Sequence, residues 1–192
     1  MASERVQRRQ EATRERIVQE AMRLFEQQGF DSTTVAQISE AADIGKGTFF
    51  TYFPAKGDVF TYLSEQVVDA MAAADDPGLG PEERARRCFA AAGAWFDEHE
   101  VLARQMVLAR LRTVGQLGAS QFRGRLLGLF TDIVEAGRGS GRWGEASTAD
   151  LLQALAGVYF VSVAAWASSS GDRTLSDRLA AQLDILFTGL SQ

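Results

Sequence analysis

Apolar residues recur three and four positions apart through most of the chain, as on one face of a helix, and no segment alternates convincingly in the manner of a strand. The pattern predicts an all-α protein of about nine helices. A first helix runs from about Arg9 to Gln28, with Ile17, Ala21, Leu24 and Phe25 on one face and Gly29 placed to end it. Val35, Ile38, Ala41 and Ala42 then mark a short second helix, and Phe49, Phe50, Tyr52 and Phe53 a third of about two turns that Pro54 stops. A fourth begins near Lys56 and carries Val59, Phe60, Leu63, Val67, Ala70 and Met71. Pro81-Glu82-Glu83 opens a fifth, since proline is tolerated in a first turn and acids there meet the positive end of the helix dipole. Further helices are predicted over about 101–113, around Phe122 to Ile133, over 148–169 and over 175–190, with a glycine-rich turn at 137–144.

The second and third patterns are separated by so few residues that they form a helix-turn-helix, a unit that places its second helix in a DNA groove. Thr34 can cap the first of the two, with Gln37 three residues on as in a capping box. Gly45 and Gly47 at the leading edge of the second cost helix propensity, roughly 1 kcal/mol each, which suits a backbone that must approach a bulky surface. Lys46 and Thr48 offer hydrogen-bonding groups to base edges or phosphates, and Tyr52 and Lys56 follow Thr48 at four-residue intervals. Thr34, Lys46, Gly47, Thr48, Tyr52 and Lys56 are therefore the candidate DNA-contacting residues. The competing reading is a small aromatic core with a solvated polar side.

These residues resemble the tetracycline-repressor (TetR) family of bacterial transcription regulators. The resemblance begins at Thr13-Arg14-Glu15-Arg16-Ile17 and continues through Ala21, Phe25, Gly29-Phe30, Thr33-Thr34-Val35, Ile38, Ala41, Gly47-Thr48 and Tyr52-Phe53-Pro54-Ala55-Lys56. It covers roughly the first third of the chain; beyond Met71 only length and helical character are shared. Phe50 stands where many members carry a tyrosine whose hydroxyl touches the DNA backbone, and Ala36 where some relatives reach a base with a long side chain. The resemblance implies a DNA-binding head over residues 1–55 and a helical ligand-binding and dimerisation domain over 56–192. It also implies a regulator, expected to be a repressor, that leaves its operator when a small lipophilic effector binds the helical body.

The last two helical segments are apolar on more than one side, an excess that calls for a partner. Leu152, Leu155 and Val163 in the first and Leu179, Leu183, Leu186 and Leu190 in the second are the candidate dimer residues, since the family pairs these helices with those of a second copy. The alternative is burial within their own body. Trp95, Phe96, Met106, Phe122, Trp143, Tyr159 and Phe160 are the candidate ligand-binding residues, an apolar set with a few polar tips.

Composition adds limits. Apolar residues make up 46% and charged residues 23%, as in an ordinary globular protein, and the net charge of -5 argues against a surface that binds nucleic acid everywhere. The amino-terminal 16 residues reverse that sign locally, with five arginines against three glutamates, so a basic arm beside the motif can supply phosphate contacts or lie solvated. Cys88 is the only cysteine, which excludes an intramolecular disulfide and fits a reducing cytoplasm. No apolar run reaches about 18 residues, so neither a membrane span nor a secretory signal is expected. His99 is the sole histidine and has no helper for metal binding or general base catalysis; no metal, cofactor or catalytic residue is expected. The rival to a regulator is a helical small-molecule carrier or enzyme whose helix-turn-helix is only structural. The expected partners are double-stranded operator DNA, a small lipophilic effector and a second copy of the chain.

Overall fold

The structure, a computed structural model, describes residues 2–112, 121–139, 143, 146–169, 171 and 173–190. Among these, nine α-helices and no strand are found: α1 (Ala2–Gln28), α2 (Val35–Ala41), α3 (Lys46–Tyr52), α4 (Asp58–Ala74), α5 (Pro81–Glu98), α6 (Glu100–Arg112), α7 (Gln121–Gly139), α8 (Thr148–Ser168) and α9 (Leu175–Leu190). The chain divides into two compact units, Met1–Leu63 and Ser64–Gln192.

In the first unit the short helices owe their ends to local chemistry. Gly29 adopts φ +85° and donates to the Phe25 carbonyl at 2.9 Å, closing α1 as only a residue without a Cβ does cheaply. The Thr34 hydroxyl accepts from the Gln37 amide at 3.2 Å while the Gln37 side chain accepts from the Thr34 amide at 2.8 Å, so the capping box is present. Asp43, at φ 51°, turns the chain between α2 and α3, and Gly45 is the N-cap of α3. Ile17, Ala21, Phe25, Ile38, Phe49 and Leu63 are fully buried, each worth roughly 1.5–3 kcal/mol for the larger side chains. Phe25, Phe30 and Phe60 form a ring cluster with centroids 4.6 to 5.2 Å apart.

α1 starts seven residues before the expected Arg9, at Ala2, so the basic amino-terminal arm is helical. α7 also departs from expectation. It runs on through Gly137 to Gly139 where a turn is predicted; glycine at 137 serves packing, since a Cβ there would stand 2.3 Å from the Trp143 ring.

In the second unit α5 lies along α9, and α8 packs against α6, α7 and α9. Close approach of α5 and α9 is set by Gly93, where a Cβ would fall 2.6 Å from the Ser176 hydroxyl. The Asp97 carboxylate, at the end of α5, accepts from the amides of Leu175 at 2.9 Å and Ser176 at 3.2 Å and thus caps the start of α9. Arg84 and Asp75 form a buried bidentate pair, both contacts 2.8 Å, between α5 and the segment after α4. The Arg84 guanidinium holds the Asp75 carboxyl below the usual carboxylate range. Arg104 lies over the Trp166 ring at 4.4 Å and donates to the carbonyls of Trp166 and Ser169.

Among the described residues one helix is long and apolar enough to cross a membrane by length and composition, the 21-residue α8, with a mean hydropathy of 1.6 over its best window, although Asp150 and Gln153 interrupt its apolar run. Packing on three neighbouring helices buries 39% of that window. Cys88 is buried on α5, and desolvation pushes its thiol up to about 12, as befits a small core hydrophobe.

Candidate functional site

The outward side of α3 is built by elimination. Phe49 and Phe53 turn into the first unit's core and fix the helix's rotation, which leaves Lys46, Gly47, Thr48, Phe50 and Thr51 exposed and Tyr52 half-buried. Nothing lies within 4 Å of where a Gly47 Cβ would be, so the backbone there is open to a large surface. Thr34, also exposed, stands at the amino-terminal end of α2 and spends its hydroxyl on the cap. Four of the six candidate DNA residues, Lys46, Gly47, Thr48 and Tyr52, thus belong to α3, while Thr34 is exposed at the start of α2.

Lys56 is the exception, and its place corrects the sequence reading. α3 ends at Tyr52 and Phe53 is extended, so the four-residue spacing does not carry Lys56 along the side shared by Thr48 and Tyr52. Its ammonium turns back to the α1–α2 turn, donating to the carbonyls of Phe30 at 2.5 Å and Thr33 at 2.7 Å, 4.2 Å from the Phe30 ring centroid. Burial lowers its pKa from the ordinary lysine value, with Asp31 pulling the other way. Two of its three N–H donors are occupied in holding the unit together.

In the sequence Phe50 stands only as a tyrosine lacking its hydroxyl. The structure shows a phenyl ring 51% exposed on a helix otherwise bearing polar groups, edge-on to Phe49 with centroids 5.6 Å apart. A large exposed apolar residue beside Lys46 is the signal that could have marked it as a contact residue.

The described candidate ligand residues fall into several aromatic clusters. Phe96 packs edge-on to Trp95 and Trp166, and Trp95 stacks on His99. Tyr159 joins Phe89, Phe130 and Phe160 in a second cluster, with centroids 5.4 to 5.9 Å apart. Trp143 stacks on Phe187 in a third. Met106 is buried, its sulfur 3.6 Å from the Ser64 hydroxyl. The Phe122 side chain lies outside the described residues. Arg110 is half-buried on α6, its charge acts on Tyr159, and burial lowers its pKa. Tyr159 in turn has its phenol pKa raised by desolvation.

The candidate dimer residues differ in exposure. Leu155, Val163, Leu179 and Leu183 are buried within the chain's own second unit, because that side of α8 and α9 faces the neighbouring helices of the bundle. Leu152 and Leu186 are half-buried, and the Leu190 side chain lies outside the described residues. The apolar surface left on these helices is elsewhere: Phe160 at 38%, Val161 at 68% and Ile185 at 66% exposure.

Residues 17–63 match the model of bacterial regulatory proteins of the tetR family, a span that includes the carboxy-terminal part of α1, all of α2 and α3, and the start of α4. The transcriptional regulator TcmR of Streptomyces glaucescens is 43% identical over 53 residues, 28% of this chain and 24% of that protein. AcrR of Shigella flexneri is 40% identical over 65 residues, 34% of this chain and 30% of that protein, so the chain matches less than a third of the length of either relative. At the level of structure, a TetR-family transcriptional repressor, FadR of Thermus thermophilus in complex with lauroyl-CoA, is 28% identical with a TM-score of 0.61, covering 92% of this chain and 94% of that one. With a family model lying over the helices that present the open face of α3, and a solved relative matching along both units, residues 17–63 form a helix-turn-helix domain of the TetR family of transcription regulators.

Proposed function

We propose that the protein is a homodimeric repressor that holds an operator through α3 and releases it when a small lipophilic effector enters the helical body. The observation that carries the reading is the open face of α3, where Lys46, Gly47, Thr48 and Thr51 are exposed while Phe49 and Phe53 anchor the helix from behind. Lys46 and Thr48 supply donors for base edges, Tyr52 a phosphate contact, and Thr34 the orientation of α2 against the strand. Phe50 adds an apolar surface suited to a thymine methyl group.

Two half-sites require two heads, and the residual apolar surface of α8 and α9 supports the pairing. Phe160, Val161 and Ile185, flanked by Leu152, Ala164 and Leu186, replace the buried leucines as the interface with a second copy. For the effector, the cluster of Phe89, Phe130 and Tyr159 offers an apolar seat, and Arg110 beside it a desolvated cation suited to an acidic or carbonyl head. The lauroyl-CoA bound by the Thermus relative is an amphiphile of that general kind. Coupling is reciprocal: an effector that weakens DNA binding is itself bound less well by the DNA-bound dimer. Such a regulator acts in the cytoplasm, where chromosomal DNA is.

The test is a gel shift at low salt with DNA upstream of the protein's own coding region, repeated with fatty acids and acyl thioesters. Retardation reversed by one of these amphiphiles is expected. No retardation of any fragment would favour the carrier or enzyme reading instead.

A further inference from the structure

Between the amino-terminal half of α1 and the last turn of α3 lies an open cleft of about 600 Å³, with Gln7, Arg8, Glu11 and Arg14 on one wall and Thr51 and Tyr52 on the other. Its charges are unevenly committed. Glu11 accepts from the Tyr62 hydroxyl at 3.2 Å and lies 3.9 Å from Arg14, whose guanidinium is in turn 5.6 Å from the Tyr62 ring centroid. The acid is therefore answered from within the fold. Arg8 is exposed and makes no hydrogen bond or ion pair among the described residues.

We infer that this cleft seats a phosphate of the DNA backbone, held by the Arg8 guanidinium with the Gln7 amide and the Tyr52 hydroxyl as further donors. The occupant follows from position and chemistry. Thr51 belongs to the exposed side of α3 and also lines the cleft, so the two surfaces are continuous. A helix about 10–12 Å across fills a major groove about 12 Å wide, which brings the sugar-phosphate strands alongside the helix flanks. The wall on the α1 flank then presents one uncommitted cation and neutral donors to the strand, as phosphate recognition requires. The helical extension from Ala2 is what places Gln7 and Arg8 there; an unfolded arm would pay the ordering entropy on binding.

This inference rests on α3 being the DNA-reading helix, and its test separates the two. The full-length protein is titrated by fluorescence anisotropy against an operator recovered by selection from random duplexes, with each phosphate near the half-site replaced in turn by a neutral methylphosphonate. The parent is expected to lose about tenfold in affinity at one phosphate per half-site. Arg8→Ala, an exposed substitution, is expected to lose about the same on unmodified DNA and nothing further at that phosphate. Its salt slope should fall by about 0.9 per half-site, with Arg8→Lys retaining the slope. Parent-like binding by Arg8→Ala, or its full loss at every methylphosphonate, would overturn the phosphate seat while leaving α3 as the reading helix. Failure of the parent to bind any duplex at low salt would overturn both.

Discussion

Replacing Lys56 by methionine keeps the side chain's apolar stem and removes only the ammonium, which isolates what that charge does. In the structure it donates to the carbonyls of Phe30 and Thr33 and faces the Phe30 ring. Hydrogen bonds from a charged donor are worth about 1.5–3 kcal/mol each, and a cation–π contact about 0.5–1 kcal/mol. Desolvation of the ammonium, the same effect that lowers its pKa, cancels much of that sum. A net loss of about 2 kcal/mol is expected, confined to the first unit. Tryptophan fluorescence will not see it, because Trp95, Trp143 and Trp166 all belong to the second unit. Amide hydrogen exchange will: protection of the Gly29 and Ile38 amides, which bond to Phe25 and Thr34, should fall roughly 30-fold. Below the unfolding range, operator affinity should keep the parent's salt slope. Unchanged exchange together with a slope lower by about 1 per half-site would put the ammonium on a phosphate and refute the clamp.

Asp75→Asn should destabilise the second unit by about 3 kcal/mol at pH 7, since it leaves the Arg84 charge buried without its partner. The Asp75 carboxyl is held below its unfolded value, so its contribution is present above the unfolded pKa and lost as pH falls through the folded one. Urea titrations of parent and variant should therefore converge below about pH 4. Gly137→Ala should drive Trp143 from its seat, costing about 1–3 kcal/mol with a red-shifted tryptophan emission; an unaltered spectrum would contradict the close packing. Val161→Asp and Ile185→Asp should yield folded monomers by sedimentation, whereas Leu183→Asp should unfold the body, so a folded monomer from Leu183→Asp would restore it to the interface.

How much of this was legible in the sequence depends on the range of the forces involved. The helix-turn-helix could be read because its determinants are local: the Thr34–Gln37 cap, Gly29 at the end of α1 and the alternation of Phe49 and Phe53 with exposed neighbours lie within a few residues. Lys56 was misplaced by carrying helical spacing past Pro54, where the backbone had already become extended. Leu179 and Leu183 were correctly seen as apolar, but periodicity reports that a face is buried without reporting what buries it. Gly137 read as a turn because its reason for being glycine, the Trp143 ring, reaches it through tertiary packing. Which of the candidate ligand aromatics meet is decided entirely by helix packing, which periodicity does not report.

The Asp97 cap on α9 also sets an order of events during synthesis. The acceptor and the amides it serves are 78 and 79 residues apart, so α5 leaves the ribosome long before its partner helix exists. At about 5–20 residues per second the gap lasts roughly 4–16 s. The first unit, whose contacts close within 63 residues, can be complete by then. During that interval the Gly93 side of α5 has no α9 to cover it, and Phe89 and Phe96 wait in turn for their ring partners on α7 and α8. A slow codon run or a strained chaperone supply in that window should therefore harm the yield of this protein more than one placed before α5.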